Sequence, residues 1–280
     1  MISPYHMRRF KSAVMMSATF CAALIALVPL FLILFHLISK GGQSLSLDFF
    51  TQMPVPVGEI GGGMGNAILG TLLLIGLACL FGLPIGIFGG IYLSEYRHQR
   101  FTTAVRFSAD MLAGTPSIVI GLFVYTLVVL PMKQFSALAG GIALGIMMIP
   151  MVMRTTEEML ALVPHTLREA ALALGIPYWR TLLSIVLSTA RSGILTAILL
   201  SIARISGETA PLLFTALGNP YWSTHLMEPI AALPLQIFTY AISPFEEWQA
   251  HAWAGALTLI TMVLILNVTA RLVIRTPWKK

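Results

Sequence analysis

The chain has 280 residues, of which 57% are hydrophobic and 10% charged, with a mean hydropathy of +0.86 and a formal net charge of +6. Soluble proteins carry about 25% charged residues, so this composition excludes a soluble globular enzyme and a disordered chain. The two cysteines, Cys21 and Cys79, sit inside apolar runs and offer neither a disulfide framework nor a zinc site. The 17 Lys and Arg form no patch interleaved with exposed aromatics, which argues against nucleic acid as a partner.

Crossing a bilayer takes about 20 apolar residues, because a helix rises about 1.5 Å per residue across a core of about 30 Å. Six segments meet this in chain order: 14–38, 67–92, 111–131, 137–153, 193–217 and 252–274. The fourth is short, and leaves room for its helix to continue past Pro150 and Arg154. The first follows a basic stretch, as a signal peptide does. Its apolar run of about 25 residues exceeds an h-region of about 7 to 15, so it reads as a retained span.

Basic residues set the orientation, since cytoplasmic loops retain Lys and Arg. Fourteen fall in four segments: Arg8, Arg9 and Lys11; Arg97, Arg100 and Arg106; Arg154, Arg168, Arg180 and Arg191; Arg271, Arg275, Lys279 and Lys280. The alternate segments hold only Lys40 and Lys133. Both termini are therefore expected in the cytoplasm, as an even number of spans requires. The chain reads as an all-α polytopic membrane protein of six transmembrane helices.

Outside the membrane, residues 39–66 contain Gly61-Gly62-Gly63, which reads as a linker in preference to an anion-binding nest. Segment 218–250 carries Tyr221, Trp222, Phe238, Tyr240, Phe245 and Trp248, aromatics that anchor at the headgroup level or dock an external partner. The cytoplasmic loop 154–192 is the most informative soluble stretch. Thr166 and Glu169 have capping-box spacing, Gly175 offers a left-handed stop, and Pro177 opens the next element. These bound a two-turn helix over 167–174, with Ala170 and Ala171 on a low-profile face.

Glu169-Ala170-Ala171 and, three residues later, Gly175 resemble the EAA loop of ABC importer membrane subunits. Met153-Arg154-Thr155-Thr156-Glu157-Glu158, Trp179-Arg180-Thr181, Gly207-Glu208-Thr209-Ala210-Pro211, Gly65-Asn66-Ala67-Ile68-Leu69-Gly70-Thr71 and Ala252-Trp253-Ala254-Gly255 are similar to the PstA-type permeases of phosphate importers. The likeness covers roughly residues 40–275. One departure is Leu187-Ser188, where these permeases commonly have Leu-Pro, which loosens the bend expected there.

The resemblance implies a type I ABC importer permease architecture. It divides the chain into an N-terminal helix and periplasmic segment, 1–63, and the importer transmembrane domain, 64–275, with the coupling loop at 154–192. It implies a homologous PstC-type permease as heterodimer partner, two cytoplasmic ABC ATPases, a periplasmic phosphate-binding protein, inorganic phosphate as substrate, and the bacterial inner (plasma) membrane as location. Glu169, Ala170, Ala171 and Gly175 would engage the ATPase. Six spans are too few to enclose a path in this family, so the pore is expected at the heterodimer interface.

Arg204 lies about 16 Å into the fifth span, near the midplane, where an arginine costs at least about 2.5–3.5 kcal/mol. Glu208 follows four residues on, one helical turn away on the same face. Two readings stand: a structural pair, or a substrate path on which Arg204 offers its donor fork to a tetrahedral oxyanion and Glu208 accepts from a P–OH. Sulfate has no such proton. The path reading expects the pair closed when empty and parted when phosphate passes. Pro211 is expected to kink the helix beside them. Arg154 matches an arginine of the family pattern, as a positive-inside anchor or at the inner mouth. Thr115 and Ser117 are weak candidates for path-lining hydroxyls. Gly82, Gly86 and Gly90, and Gly141 and Gly145, repeat at four residues and predict close helix packing.

Absences narrow the chemistry. No Gly-Lys dipeptide occurs, so no P-loop, and any ATP and Mg²⁺ belong to a partner; no cofactor is expected on this chain. There is no HExxH or GxSxG, and His36 reads as a helix-packing or interfacial residue in preference to a ligand. An ATP-independent channel or secondary transporter, or a permease for another oxyanion, is the alternative. An integral-membrane enzyme using Glu208 is weakest, since no second catalytic group is placed at its depth.

Overall fold

A computed structural model describes residues 4–59, 61–97 and 99–274. His98, Arg275, Lys279 and Lys280, used in the sequence reading, lie outside them. The described residues form helices α1 (Pro4–Gly41), α2 (Leu47–Thr51), α3 (Gly65–Glu95) and α4 (Arg100–Gly114). Next come α5 (Ser117–Val124), which continues through a wide π turn into α6 (Leu130–Met132), then α7 (Ala137–Ala161) and α8 (His165–Ala173). Then α9 (Tyr178–Thr181) continues through a second π turn into α10 (Leu187–Ser206), followed by α11 (Ala210–Leu213), α12 (Leu233–Ala241) and α13 (Glu246–Ile274). Five helical runs are long and apolar enough to span a membrane, and one bent pair brings the number to six.

Two spans differ from their sequence boundaries. The third is α4 and the Ser117–Met132 run, bent by 104° at Thr115-Pro116. Proline disfavours α geometry in the residue before it, and Thr115 is extended at φ −74°, ψ 131°. The apolar stretch 111–131 thus straddles a corner. The fifth runs over Tyr178–Ser206 and stops before Gly207, well short of residue 217. Pro211 cannot donate to the Gly207 carbonyl and its ring would clash there, so the helix ends. At Leu187-Ser188 the helix continues, after the π turn Leu182–Val186. The fourth does continue past Pro150 and Arg154, to Ala161.

The glycine ladder joins α3 to α7, and the centre of the core lies at this contact. A Cβ on Gly82 would stand 3.0 Å from the Gly145 carbonyl oxygen, on Gly86 2.8 Å from Val152, and on Gly90 2.6 Å from both Met153 O and Thr156. Leu74, Ala78, Leu144, Met148 and Val152 fill the core beside them. In contrast α1 is almost wholly exposed along its apolar length. It is held at its end, where Gly41 abuts the Trp253 carbonyl and His36 meets the Trp253 ring edge-on at 4.9 Å. His36 is the packing residue expected.

Hydrogen bonds sort the connections into two ends, as the basic residues did. At one end Asn66 Nδ2 donates to the carbonyls of Asn219 and Pro220, and Leu233 N–H donates to Thr71 Oγ1 at 2.8 Å. Gly70 lies so near the Ala231 carbonyl that a Cβ would be 2.0 Å away. The Gly65–Thr71 motif is therefore a clasp for the returning segment 219–233. At the other end Glu95 meets Arg168 and Tyr178, and Arg106 meets Glu157. The triglycine is not a loose linker: Gly62 N–H donates to Gln52 Oε1, and Gly63 packs on the Asp48 and Phe49 carbonyls. Tyr240 is buried and stacks on Trp248 at 4.5 Å, packing where headgroup anchoring was one reading.

Candidate functional site

Helix α8, which carries the Glu169-Ala170-Ala171 motif, forms two residues earlier than its capping box suggests. It spans His165–Ala173 after Pro164, and no side chain caps it, so Thr166 and Glu169 do not act as a box. Pro164 makes the start: it has no N–H to satisfy and a fixed φ, here −57°. Gly175 ends the helix at φ +77°, with its N–H on Leu172 O and that of Ile176 on Ala171 O. Arg168 and Ala171 face inward, three residues apart. Glu169, Ala170, Leu172 and Leu174 face out, Leu174 being 80% exposed. Ala171 is thus buried under the helix and does not share the outer face with Ala170.

Arg168 explains the inward side. Its Nη1 donates to Glu95 Oε1 at 2.5 Å, Tyr178 donates its hydroxyl to Glu95 Oε2, and the side chains of Glu95 and Arg168 are only 5% and 16% exposed. One carboxylate at the end of α3 ties down both the coupling helix and the start of α9.

Arg204 sits in the last turn of α10, exposed, and not in mid-helix. Among the described residues it makes no ion pair, and none joins it to Glu208. The expected closed pair is absent because the helix ends at Ser206 and Glu208 leaves its register; Glu208 is half-buried, with its N–H on Ile205 O. Arg204 instead lines a small cavity against the α4–α5 corner and α7, with Leu112, Thr115, Pro150 and Met151. At about 20 Å³ the cavity admits a water and not a phosphate. Thr115 is on its wall; Ser117 is not.

Arg154 is engaged one helical turn from that cavity. Its Nη1 donates to Glu157 Oε2 at 2.6 Å, and its Nε lies 3.0 Å from Asp110 Oδ1. Arg106 binds the other Glu157 oxygen through Nη2 at 2.5 Å and Nε at 3.2 Å. The network fastens α4 to α7. Of its members sequence reading singled out only Arg154, although Glu157 at i+3 was a visible partner. Asp110 and Arg106 are brought in from α4.

A cavity of about 560 Å³, far larger than the one at Arg204, lies at the opposite end among Met53, Leu217, Tyr221, Leu235, Thr239 and Trp248. No Lys or Arg lines it, so it offers no charge to an oxyanion. Among the described residues no His, Cys, Asp or Glu cluster could hold a metal.

Residues 82–277 match the family of binding-protein-dependent transport system inner membrane components. The chain is 52% identical to the phosphate transport system permease protein PstA of Yersinia pestis over 95% of its length and 90% of that protein's. It is 48% identical to PstA of Haemophilus influenzae, covering 96% and 95%. It is 38% identical to PstA 1 of Mycobacterium tuberculosis, covering 95% and 88%. Its fold matches a solved chain of the MetNI methionine ABC transporter, in inward-facing conformation, with a TM-score of 0.61 at 16% identity, over 76% of this chain and 96% of that one. The expected all-α, type I ABC importer permease architecture is the one adopted. A multi-span chain with this fold, this family match and near full-length likeness to PstA proteins belongs to the family of binding-protein-dependent transport system inner membrane components, alongside the PstA permeases.

Proposed function

We propose that this chain is a permease subunit of an ATP-driven importer of inorganic phosphate in the bacterial inner membrane, contributing half of the translocation path and performing no catalysis itself. The observation that carries the substrate is the likeness, over 95% of the chain, to permeases named for phosphate transport. The geometry supports it. Arg204 holds an exposed guanidinium, without an ion-pair partner among the described residues, against a cavity in the membrane-spanning region. An arginine so placed must face water or a partner and not hydrocarbon, and its planar fork suits a tetrahedral oxyanion. Glu208 accepts from the P–OH of phosphate once the cavity widens, and Arg154 stands toward the cytoplasmic exit.

The heterodimer partner is a homologous PstC-type permease whose matching face completes the path. Two cytoplasmic ATPases bind and hydrolyse ATP with Mg²⁺, and a periplasmic phosphate-binding protein delivers the substrate. The outward face of α8, with Glu169, Ala170, Leu172 and Leu174, seats in a groove of one ATPase, and Gly175 ends it there. Closure of the ATPases moves α8 and switches the bundle from inward- to outward-open. Uptake of labelled phosphate by phosphate-starved cells lacking this chain tests the reading. Wild type is expected to restore uptake and Arg204→Ala to fail at equal membrane abundance. If wild type restores nothing where other phosphate routes are deleted, the phosphate assignment is wrong.

A further inference from the structure

The network at the inner end contains two arginines and two carboxylates, Arg106, Asp110, Arg154 and Glu157, whose contacts are unequal. Glu157 is fixed: it accepts from both arginines, and its side chain is 10% exposed. Asp110 is 48% exposed; its one ion pair among the described residues, to Arg154 Nε at 3.0 Å, lacks hydrogen-bond alignment, and Arg106 attracts it only through space. Arg154 is 31% exposed, and its Nη2 makes no hydrogen bond among the described residues. The Nε and Nη2 groups form the edge of a guanidinium that binds a planar pair of oxyanion oxygens. In Arg154 only the weakly held Asp110 covers that edge.

The Arg204 cavity lies about one helical turn away along both α4 and α7. Leu112 and Ala113 on its wall are two and three residues from Asp110, and Pro150 and Met151 are four and three from Arg154. Each is a rise of about 3–6 Å along its helix. Exposed charges at this depth face water or a partner subunit, not lipid.

We propose that Asp110 is a displaceable counter-ion: phosphate moving from Arg204 toward the cytoplasm takes the Nε/Nη2 edge of Arg154 by expelling Asp110, and the returning carboxylate releases it. The inference rests on the phosphate-importer reading and adds a specific residue to it. Glu157 keeps Arg154 in place throughout. Expulsion holds Arg154 neutralised at each step, since one anion replaces another. Without the Asp110 carboxylate the edge stays open and cationic, so the exit becomes a trap.

The test is phosphate inhibition from the cytoplasmic side. The whole importer is reconstituted with its ATPases facing the lumen, and uptake of labelled phosphate is measured against unlabelled inorganic phosphate enclosed with ATP. Asp110→Asn is expected to lower the half-inhibiting internal phosphate concentration about tenfold, the size of one charge-assisted hydrogen bond, and to lower maximal uptake. Adding Arg154→Gln should abolish the tenfold shift. Asp110→Ser serves as the second single variant. An unshifted inhibition constant in an active Asp110 variant overturns the proposal, as does a shift that persists without Arg154. If neither Asp110 variant assembles, the carboxylate is a structural lock and the proposal falls. A wild-type complex that moves no phosphate overturns the importer reading and this one with it, whereas an active wild type with an unshifted variant overturns this one alone.

Discussion

Glu95→Gln isolates the anchor of the coupling helix. The substitution keeps the shape and an accepting oxygen but removes the charge that faces Arg168, whose Nε is already buried without a partner. Breaking a buried pair costs about 3–5 kcal/mol, because the remaining charge is uncompensated. Here the amide oxygen still accepts one bond and Arg168 is 16% exposed, so about 2–3 kcal/mol is expected. The loss falls on the docking of α8, which otherwise contributes to the interior little more than buried Ala171, and not on the α3–α7 core. At 1.4 kcal/mol per decade, the undocked population rises about 30- to 150-fold. Hydrogen exchange of the assembled importer should show the 165–173 amides exchanging faster by about that factor, with α3 and α7 amides unchanged. Phosphate uptake should fall while ATP hydrolysis persists. Unaltered exchange over α8 together with normal uptake would refute the anchoring role.

Other substitutions test the surrounding argument. Gly90→Ala places a Cβ 2.6 Å from Met153 O and Thr156, an overpacking worth about 1–3 kcal/mol, so the melting temperature of the solubilised chain should drop. Gly76→Ala on the same helix meets nothing within 4 Å and should hold or raise it, since alanine favours a helix by about 1 kcal/mol. Arg204→Lys keeps the charge and loses the fork, and phosphate uptake at equal membrane abundance should fall at least about tenfold, the loss of one charge-assisted bond. Gly175→Ala has open space around it but a φ of +77°, so it should cost about 1–2 kcal/mol, seen as faster exchange at the end of α8 with the rest of the bundle unaffected.

Composition and local pattern made the spans, the two-sided distribution of arginines, the glycine ladder and the glycine stop of α8 legible, because each depends on neighbours within a few turns. The two misplaced helices share a cause. Hydropathy is continuous across 111–131 and 193–217, and a window that sums it does not see the backbone stop at Thr115-Pro116 or Gly207. The signals were present as Pro116 and Pro211, but Pro211 reads as a kink within its span and Pro116 lies inside an apolar run that hydropathy leaves unbroken. Polar faces hid the rest: α4, with Arg100, Arg106 and Asp110, and the first turns after Pro177 carry charge and read as loop. The pairing of Arg204 with Glu208 failed for the same reason, since i+4 spacing has meaning only inside a helix.

Apart from Arg154–Glu157 at i+3, the ionic contacts were not legible, because Arg106–Glu157 and Arg168–Glu95 lie 51 and 73 residues apart and only the tertiary fold unites them. Once united, they connect the two halves of the candidate mechanism. Glu95 ties α8 to the end of α3. The glycine ladder leaves no space for α3 to slide on α7, so these two helices move together. The same α7 carries Arg154 and Glu157, whose bonds to Asp110 and Arg106 hold α4 and with it the corner that closes the Arg204 cavity. Under the proposed importer reading, displacement of α8 by an ATPase would reach the cavity through packed backbone and ion pairs, and the most exposed and least aligned link in that chain is Asp110. A mechanism that opens the cavity to phosphate must break the chain somewhere, and it costs least where a half-exposed carboxylate makes a single unaligned contact.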